Sequence, residues 1–317
     1  MPSRLAAILQ GQDGLSVREH VPLARFTRFE LGGPARVFVD ASTETSLGQA
    51  VRAIAETGMA RTVIGGGSNL IASDEGFPGA VLRYTNCLVK IENARVHVAA
   101  GAVLQDLVDA TIAHGLRGLE TMTGIPGWVG GAVYGNAGAY GRSLQQSVES
   151  VRYYDGAQVR EIGKEACEFR YRESIFKLRK DWIILSATLT LQPAGPQELA
   201  ATADGILKIR NAKYPPAMRC AGSIFKNLLW DQLPEPVRTR VPENVIREGK
   251  VPSAYFLEQA GAKGMRRGGI RVADYHANLL YNESGGTALQ VRELIAELKR
   301  RVLEQCGVAL EEEVQYI

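Results

Sequence analysis

The chain has 317 residues, 45% of them hydrophobic and 22% charged, and a formal net charge of +3. That length allows two or three domains around sizeable cores, and the composition excludes disorder along the whole chain. Basic residues are scattered rather than blocked with aromatics, which speaks against nucleic acid as a partner; a small positive excess suits an anionic substrate or cofactor.

The opening residues MPSRLAAILQGQDG hold an apolar run too short for a secretion signal, and no stretch of eighteen apolar residues follows. The expected location is the cytoplasm, with no membrane partner. Residues 43–58 put Leu47, Ala50, Val51, Ile54 and Ala55 on one helical face, with Gly58 as the stop. RTVI then predicts a short strand running into Gly65-Gly66-Gly67-Ser68-Asn69. Residues 95–100 alternate as a strand, and 103–114 set Leu104, Leu107, Val108 and Ile112 on a helical face before Gly115.

Between 148 and 162, Asp155-Gly156 separates two β-rich runs and predicts a hairpin. Residues 182–192 set Ile183, Leu185, Ala187, Leu189 and Leu191 on one face of a long strand. A helix is expected over 197–213, stopped by Pro215-Pro216, and another over 288–306 with Val291, Leu294, Ile295, Leu298 and Val302 inward. The polar, Pro-containing segment 228–250 reads as a surface insertion, and strand character returns from Val308. Breaks near 85–95 and near Pro215-Pro216 are the expected domain boundaries. Helices and strands are mixed without regular alternation, so the expected class is α+β, or a mixed α/β with antiparallel parts.

Cys87, Cys167, Cys220 and Cys306 form no CxxC pair, and His20, His97, His114 and His276 show no metal-ligand spacing. Chemistry is sought instead in two glycine-rich segments. The first, Gly65–Asn69, follows a strand; its glycines allow backbone angles that bring successive N–H groups to bear on an anion, although an ordinary flexible turn has the same composition. The second, GIPGWVGGAVYGNAGAYG at 124–141, has seven glycines in 18 positions yet stays apolar through Ile125, Val129, Ala132, Val133 and Ala137. Such a run suits backbone wrapped around something flat or anionic, or tight packing within a core. Its spacing fits neither GxGxxG after a strand nor GxxxxGK[ST].

Together these segments resemble the FAD-holding loops of the vanillyl-alcohol-oxidase-type flavoenzymes. Within that group the chain is similar to the UDP-N-acetylenolpyruvoylglucosamine reductase family. The resemblance runs through Thr27–Gly33, Val63–Leu70, Gly118–Gly141, Tyr171–Phe176, Ala221–Asn227, Gln259–Gly264, His276-Ala277 and Leu310–Val314. It implies a two-part FAD-binding module, 1–90 and 91–213, the first completed by the strand 308–317, and a C-terminal α+β substrate domain at 214–307. It implies non-covalent FAD at Gly65, Gly66, Gly67, Ser68, Asn69, Leu70, Thr123, Gly124, Ile125, Gly130, Gly131 and Ala132, since neither glycine segment offers a His or Cys for a covalent tether. NADPH would be the hydride donor and UDP-N-acetylglucosamine enolpyruvate the acceptor.

The resemblance also implies catalytic roles for Ser223 as proton donor, Arg172 as carboxylate clamp and Glu313 as their companion. A guanidinium can hold a developing dienolate in bidentate fashion, and a serine proton suffices for a strongly basic carbanion. Tyr171, Lys226, Asn227 and His276 are implied substrate contacts, although His276 in DYHANLLY also suits a hydrogen-bonded core histidine. Spacing alone does not choose among Glu311, Glu312 and Glu313. Departures from the family are Leu228 in place of Pro, a long 228–250 segment and Gln315 in place of Arg, and the short link from Phe176 to Trp182 points to the family subclass without the extra tyrosine-bearing substrate lid. A monomer or weak oligomer is expected. The competing readings are an FAD oxidase of the same superfamily and a non-catalytic binding protein.

Overall fold

The computed structural model describes residues 2–317. These divide into two compact units, one made of 1–21, 35–67 and 77–212, the other of 22–34, 68–76 and 213–317. Helices and strands are interspersed in both, and the class is α+β.

The first unit holds two sheets. One has the order Leu15–Pro22, Pro34–Ala41, Phe77–Tyr84, Arg61–Val63, its last three strands parallel. The helix Glu44–Glu56 covers it, started by a capping box of Thr43 and Ser46 and followed by Gly58 at φ +65°. The other sheet is antiparallel, in the order Val159–Gly163, Val148–Tyr154, Ile183–Thr190, Arg95–Ala99, Val89–Glu92. The predicted hairpin pairs Tyr154 with Val159, and Asp155 accepts from the amides of Ala157 and Gln158 at 2.9 and 2.8 Å. Those bonds and the Arg160 contact hold the Asp155 carboxyl down to about 2.

The strand Ile183–Thr190 differs from expectation. It is buried on both faces except at Thr190, not on one. The physical reason is its central place in the sheet, between Val148–Tyr154 and Arg95–Ala99 and within the first unit's core. Ser186 and Thr188, the polar residues that suggested an outer face, are small enough to be buried there.

The second unit is built on the antiparallel sheet Cys220–Ser223, His276–Asn282, Ile270–Ala273, Arg266–Arg267. The amphipathic helix Ala288–Cys306 supplies Val291, Leu294, Ile295, Leu298 and Val302 to its core. Thr287 and Gln290 cap its start reciprocally, and Asp74 accepts the Ala288 and Leu289 amides at 2.8 and 2.9 Å. The chain from Val308 is less regular than expected: one bridge joins Glu312 to Phe225, and only Gln315–Tyr316 forms a strand, parallel to Leu70–Ile71.

The segment 228–250 also departs from expectation. Leu228–Leu229 pairs with Lys250–Val251, closing a loop whose Leu233, Val237 and Val241 are buried in the second core. These three residues recur every four positions and form one apolar stripe, which the surrounding prolines and charges disguise. The segment is a cover for the core rather than a purely surface insertion.

Candidate active site

The first unit carries the glycine segments. Ile64 still donates to the Leu82 carbonyl at 3.0 Å, extending the parallel ladder by one residue. There the ladder stops. Among the described residues, the amides of Gly65, Gly66 and Gly67 meet no protein acceptor, and Gly67 turns the chain at φ +63°. Consecutive unspent N–H groups in such a turn form a concave anion site.

The second segment packs on the first. A Cβ on Gly66 would lie 3.1 Å from Trp128 Cδ1 and 3.2 Å from Gly127 Cα, so only hydrogen fits there without displacement. Trp128 is in turn covered by the Arg83 guanidinium, 5.1 Å from its ring centroid and paired with Asp40 at 2.6 Å. Thr123 is buried, and the Gly124 amide donates to Gln105 Oε1 at 2.7 Å. The short helix Val129–Tyr134 then begins, with Gly130 bonded to the Ala100 carbonyl at 2.8 Å and Ala132 buried. A Cβ on Gly131 would meet nothing within 4 Å. Unspent amides beside an uncharged wall with open space along it suit a group that is anionic at one end and flat at the other. FAD is such a group, and the residues present fit it.

The later part of the same glycine segment holds Arg172. Residues Arg170 and Glu173 exchange backbone hydrogen bonds of 3.0 and 3.1 Å, which forces Arg172 to φ +59°. A non-glycine residue in that region costs about 1–3 kcal/mol and persists only where its surroundings over-determine it. Here the buried Asn136 donates to the Arg170 carbonyl at 2.8 Å, Lys177 donates to the Arg172 carbonyl at 2.6 Å, and the guanidinium donates to the Gly138 carbonyl at 3.0 Å. The guanidinium also lies over the Tyr171 ring, 5.2 Å from its centroid. Tyr171 and Arg172 are thus seated on residues 136–138.

The second unit holds the remaining predicted residues. Gly222 at φ +76° breaks the register between Cys220 and Ser223, and Ser223 regains it opposite Leu279. Ser223 Oγ is 2.9 Å from Tyr214 Oη, and Tyr214 Oη is 3.4 Å from His276 Nε2, with the two rings edge to face. Burial, with the charges of Lys213 and Lys263, pushes the His276 imidazole down to about 3, so it is neutral at pH 7. The buried Asn278 accepts from the Phe225 amide at 2.9 Å and donates to its carbonyl at 2.8 Å, fixing the strand just beyond Ser223.

Glu313 donates its amide to the Ile224 carbonyl at 2.7 Å, and its carbonyl accepts from Asn69 Nδ2 at 3.0 Å. This places Ser68, Asn69 and Leu70 in the same unit as Ser223 and Glu313, while Gly65–Gly67 lie in the other. The three glutamates part company here. Glu311 pairs with Lys226 at 2.5 Å, and Glu312 is held below the usual carboxylate range because contacts from Lys299 and Tyr316 outweigh its burial. Asn227 Oδ1 accepts from the Ser253 amide at 3.3 Å.

Three residues of these arrangements were not singled out in the sequence: Tyr214, Asn136 and Asn278. Asn278 had a signal, a carboxamide inside the otherwise apolar HANLLY, since a polar residue in a core strand calls for partners. Asn136 lay hidden among glycines. Tyr214 had none, because its neighbours Pro215-Pro216 read only as a helix stop. Among the described residues no group of His, Cys, Asp and Glu could hold a metal ion, and no helix is long and apolar enough to cross a membrane.

Residues 35–159 match the family described as FAD binding domain, and residues 214–317 match the UDP-N-acetylenolpyruvoylglucosamine reductase, C-terminal domain. The UDP-N-acetylenolpyruvoylglucosamine reductase of Solibacter usitatus is 56% identical over 309 residues, covering 98% of this chain and 99% of that protein. The one from Rubrobacter xylanophilus is 35% identical over 298 residues, 93% of each chain. The crystal structure of the Thermus caldophilus enzyme superposes with a TM-score of 0.75 at 28% identity, covering 95% of this chain and 99% of that one. The fold is therefore a two-part FAD-binding module with the C-terminal domain of these reductases, and the protein is an FAD-dependent oxidoreductase. The chain belongs to the UDP-N-acetylenolpyruvoylglucosamine reductase family.

Proposed function

We propose that the protein reduces UDP-N-acetylglucosamine enolpyruvate to UDP-N-acetylmuramate, a step in peptidoglycan precursor synthesis, with NADPH as the source of the hydride. The observation that carries this reading is the 56% identity to a reductase of that name over nearly the full length of both chains. Bound FAD would supply the hydride-transfer chemistry between NADPH and the β-carbon of the enol ether. The amides of Gly65–Gly67, with Thr123, Gly124, Ile125, Gly130, Gly131 and Ala132 of the second glycine segment and Ser68, Asn69 and Leu70, would hold it.

The chain's own residues then manage charge and the proton. Hydride addition leaves negative charge on the α-carbon and its carboxylate. Arg172 is the bidentate partner for that carboxylate, its geometry pre-set by the Arg170–Glu173 turn. Ser223 gives its hydroxyl proton to the α-carbon. Glu313, whose backbone bonds beside Ser223, is read as orienting these groups, and Tyr171, Lys226, Asn227 and His276 as lining the substrate. The three-part division at residues 90 and 213 is kept as the corresponding functional division, with the substrate domain beginning at Tyr214. The protein is read as a cytoplasmic monomer or weak oligomer with small-molecule partners only.

Stopped-flow mixing separates the two half-reactions. NADPH should bleach the flavin absorbance, and the enolpyruvyl substrate should restore it. Ser223→Ala should leave the first step at parental rate and slow the second by about 10²–10⁴-fold. Fast restoration by oxygen with no response to the enolpyruvyl substrate would instead favour an oxidase.

A further inference from the structure

We propose that Tyr214 is a positioning residue for the reaction: it orients the Ser223 hydroxyl and returns a proton to it within each turnover. This rests on the reading of Ser223 as proton donor. Ser223 Oγ has Tyr214 Oη at 2.9 Å, and the next atom along is His276 Nε2, 3.4 Å beyond. These three groups come from different parts of the unit: Tyr214 just past the helix Pro196–Lys213, Ser223 at the end of its strand, and His276 at the start of the neighbouring one.

Two proton arrangements run the donors in a single direction along such a row. In one, Ser223 donates to Tyr214 and Tyr214 to His276, which turns the serine proton away from any substrate. In the other, a protonated Nε2 donates to Tyr214, and Tyr214 donates to Ser223 Oγ. Only the second leaves the serine hydrogen free to point outward. The imidazole is neutral, held so by burial, and therefore carries a single ring proton that one of the two nitrogens must own.

The second arrangement also solves a chemical problem. When the serine O–H bond breaks and a C–H bond forms on the substrate, an alkoxide remains. The Tyr214 O–H then breaks as a new serine O–H forms. A phenol is a far stronger acid than an aliphatic alcohol, so this transfer runs downhill, and the phenolate regains its proton from water. Lys213, 5.3 Å from the Tyr214 ring centroid, favours the transient negative charge, and His276 keeps its single proton throughout.

Stopped-flow measurements on the full-length FAD-loaded enzyme test this through a double-mutant cycle. Tyr214→Phe should slow restoration of flavin absorbance by UDP-N-acetylglucosamine enolpyruvate roughly 10- to 100-fold, with bleaching by NADPH unchanged. In a Ser223→Ala background the same change should have no further effect. If Ser223→Ala is slow but Tyr214→Phe matches the parent, the role of Tyr214 is overturned while the serine reading stands. If Tyr214→Phe slows Ser223→Ala as much as it slows the parent, Tyr214 acts on something other than the serine, and the proposal also fails. A fast Ser223→Ala removes the serine reading itself. Nitrogen-15 NMR of the parent gives a readout independent of turnover and of whether the variant folds. His276 should show a protonated Nε2, and protonation of Nδ1 alone would overturn the proposed direction of the row.

Discussion

In the first unit, the groups offered to a ligand around Gly65–Gly67 are backbone amides, and side chains there serve mainly as walls. In the second unit the groups around Ser223 are a hydroxyl, a phenol and an imidazole, and the backbone is already spent in strands. Sensitivity should follow the material. The amide site tolerates few added atoms, because Trp128 and Gly127 stand directly against Gly66. The side-chain site tolerates few removed atoms, because each group depends on the next and all depend on the core beneath.

The largest effect tests that core. Leu233 lies 5% exposed in the polar segment 228–250. Leu233→Ala should cost about 2–5 kcal/mol of stability, as for a buried leucine, against about 0.5 kcal/mol or less for a surface position. A urea unfolding midpoint indistinguishable from the parent's would return the segment to the surface and detach it from the comparison.

Gly66→Val comes next. Overpacking of this kind costs about 1–3 kcal/mol, which, if it falls on the bound state, corresponds to roughly 5- to 150-fold weaker FAD retention. Dialysis followed by absorbance of the bound flavin reads this directly. Full retention would mean that the two glycine segments do not need their close approach.

Arg172→Lys is predicted to be narrower still. Losing a bidentate contact should raise the KM for the enolpyruvyl substrate and lower turnover by about tenfold, with FAD retention unchanged. Loss of FAD would show that the residue 136–138 seat supports the cofactor through Arg172 rather than supporting Arg172 alone.

The last effect concerns His276 and depends on pH. Its folded-state value near 3 lies below the ordinary 6.5, so on acidification the unfolded chain binds the proton first. This contribution to stability is complete above pH 6.5 and is lost progressively as pH falls toward 3. His276→Gln should therefore flatten the dependence of the unfolding midpoint on pH between 6.5 and 4.5. An unchanged slope would mean that the imidazole is not held neutral by its surroundings.

The contrast between the two sites also explains what could be read in the chain beforehand. Glycine density made Gly65–Gly67 and Gly124–Gly131 legible as candidate backbone sites. The helices over 43–58, 103–114 and 288–306 were visible through periodicity, because each has one buried face. The strand at 182–192 was found, but its second buried face was not, since small polar residues in a central strand look like solvent-facing ones. Tyr214 was invisible because its meaning lies in two partners distant in sequence. Glu311, Glu312 and Glu313 could not be told apart until Lys226 and Lys299 were seen to engage the first two.

The second unit gathers residues 22–34 and 68–76 with 213–317, and its parallel pair joins Leu70–Ile71 to Gln315–Tyr316. On a ribosome making roughly 5–20 residues per second, the early pieces wait on the order of ten seconds for their partners. Phe29, Leu31 and Ile71, all buried in the finished core, remain uncovered for that interval. The nascent chain thus carries a timed exposure of apolar surface, and chaperone occupancy during synthesis should concentrate on these two early segments.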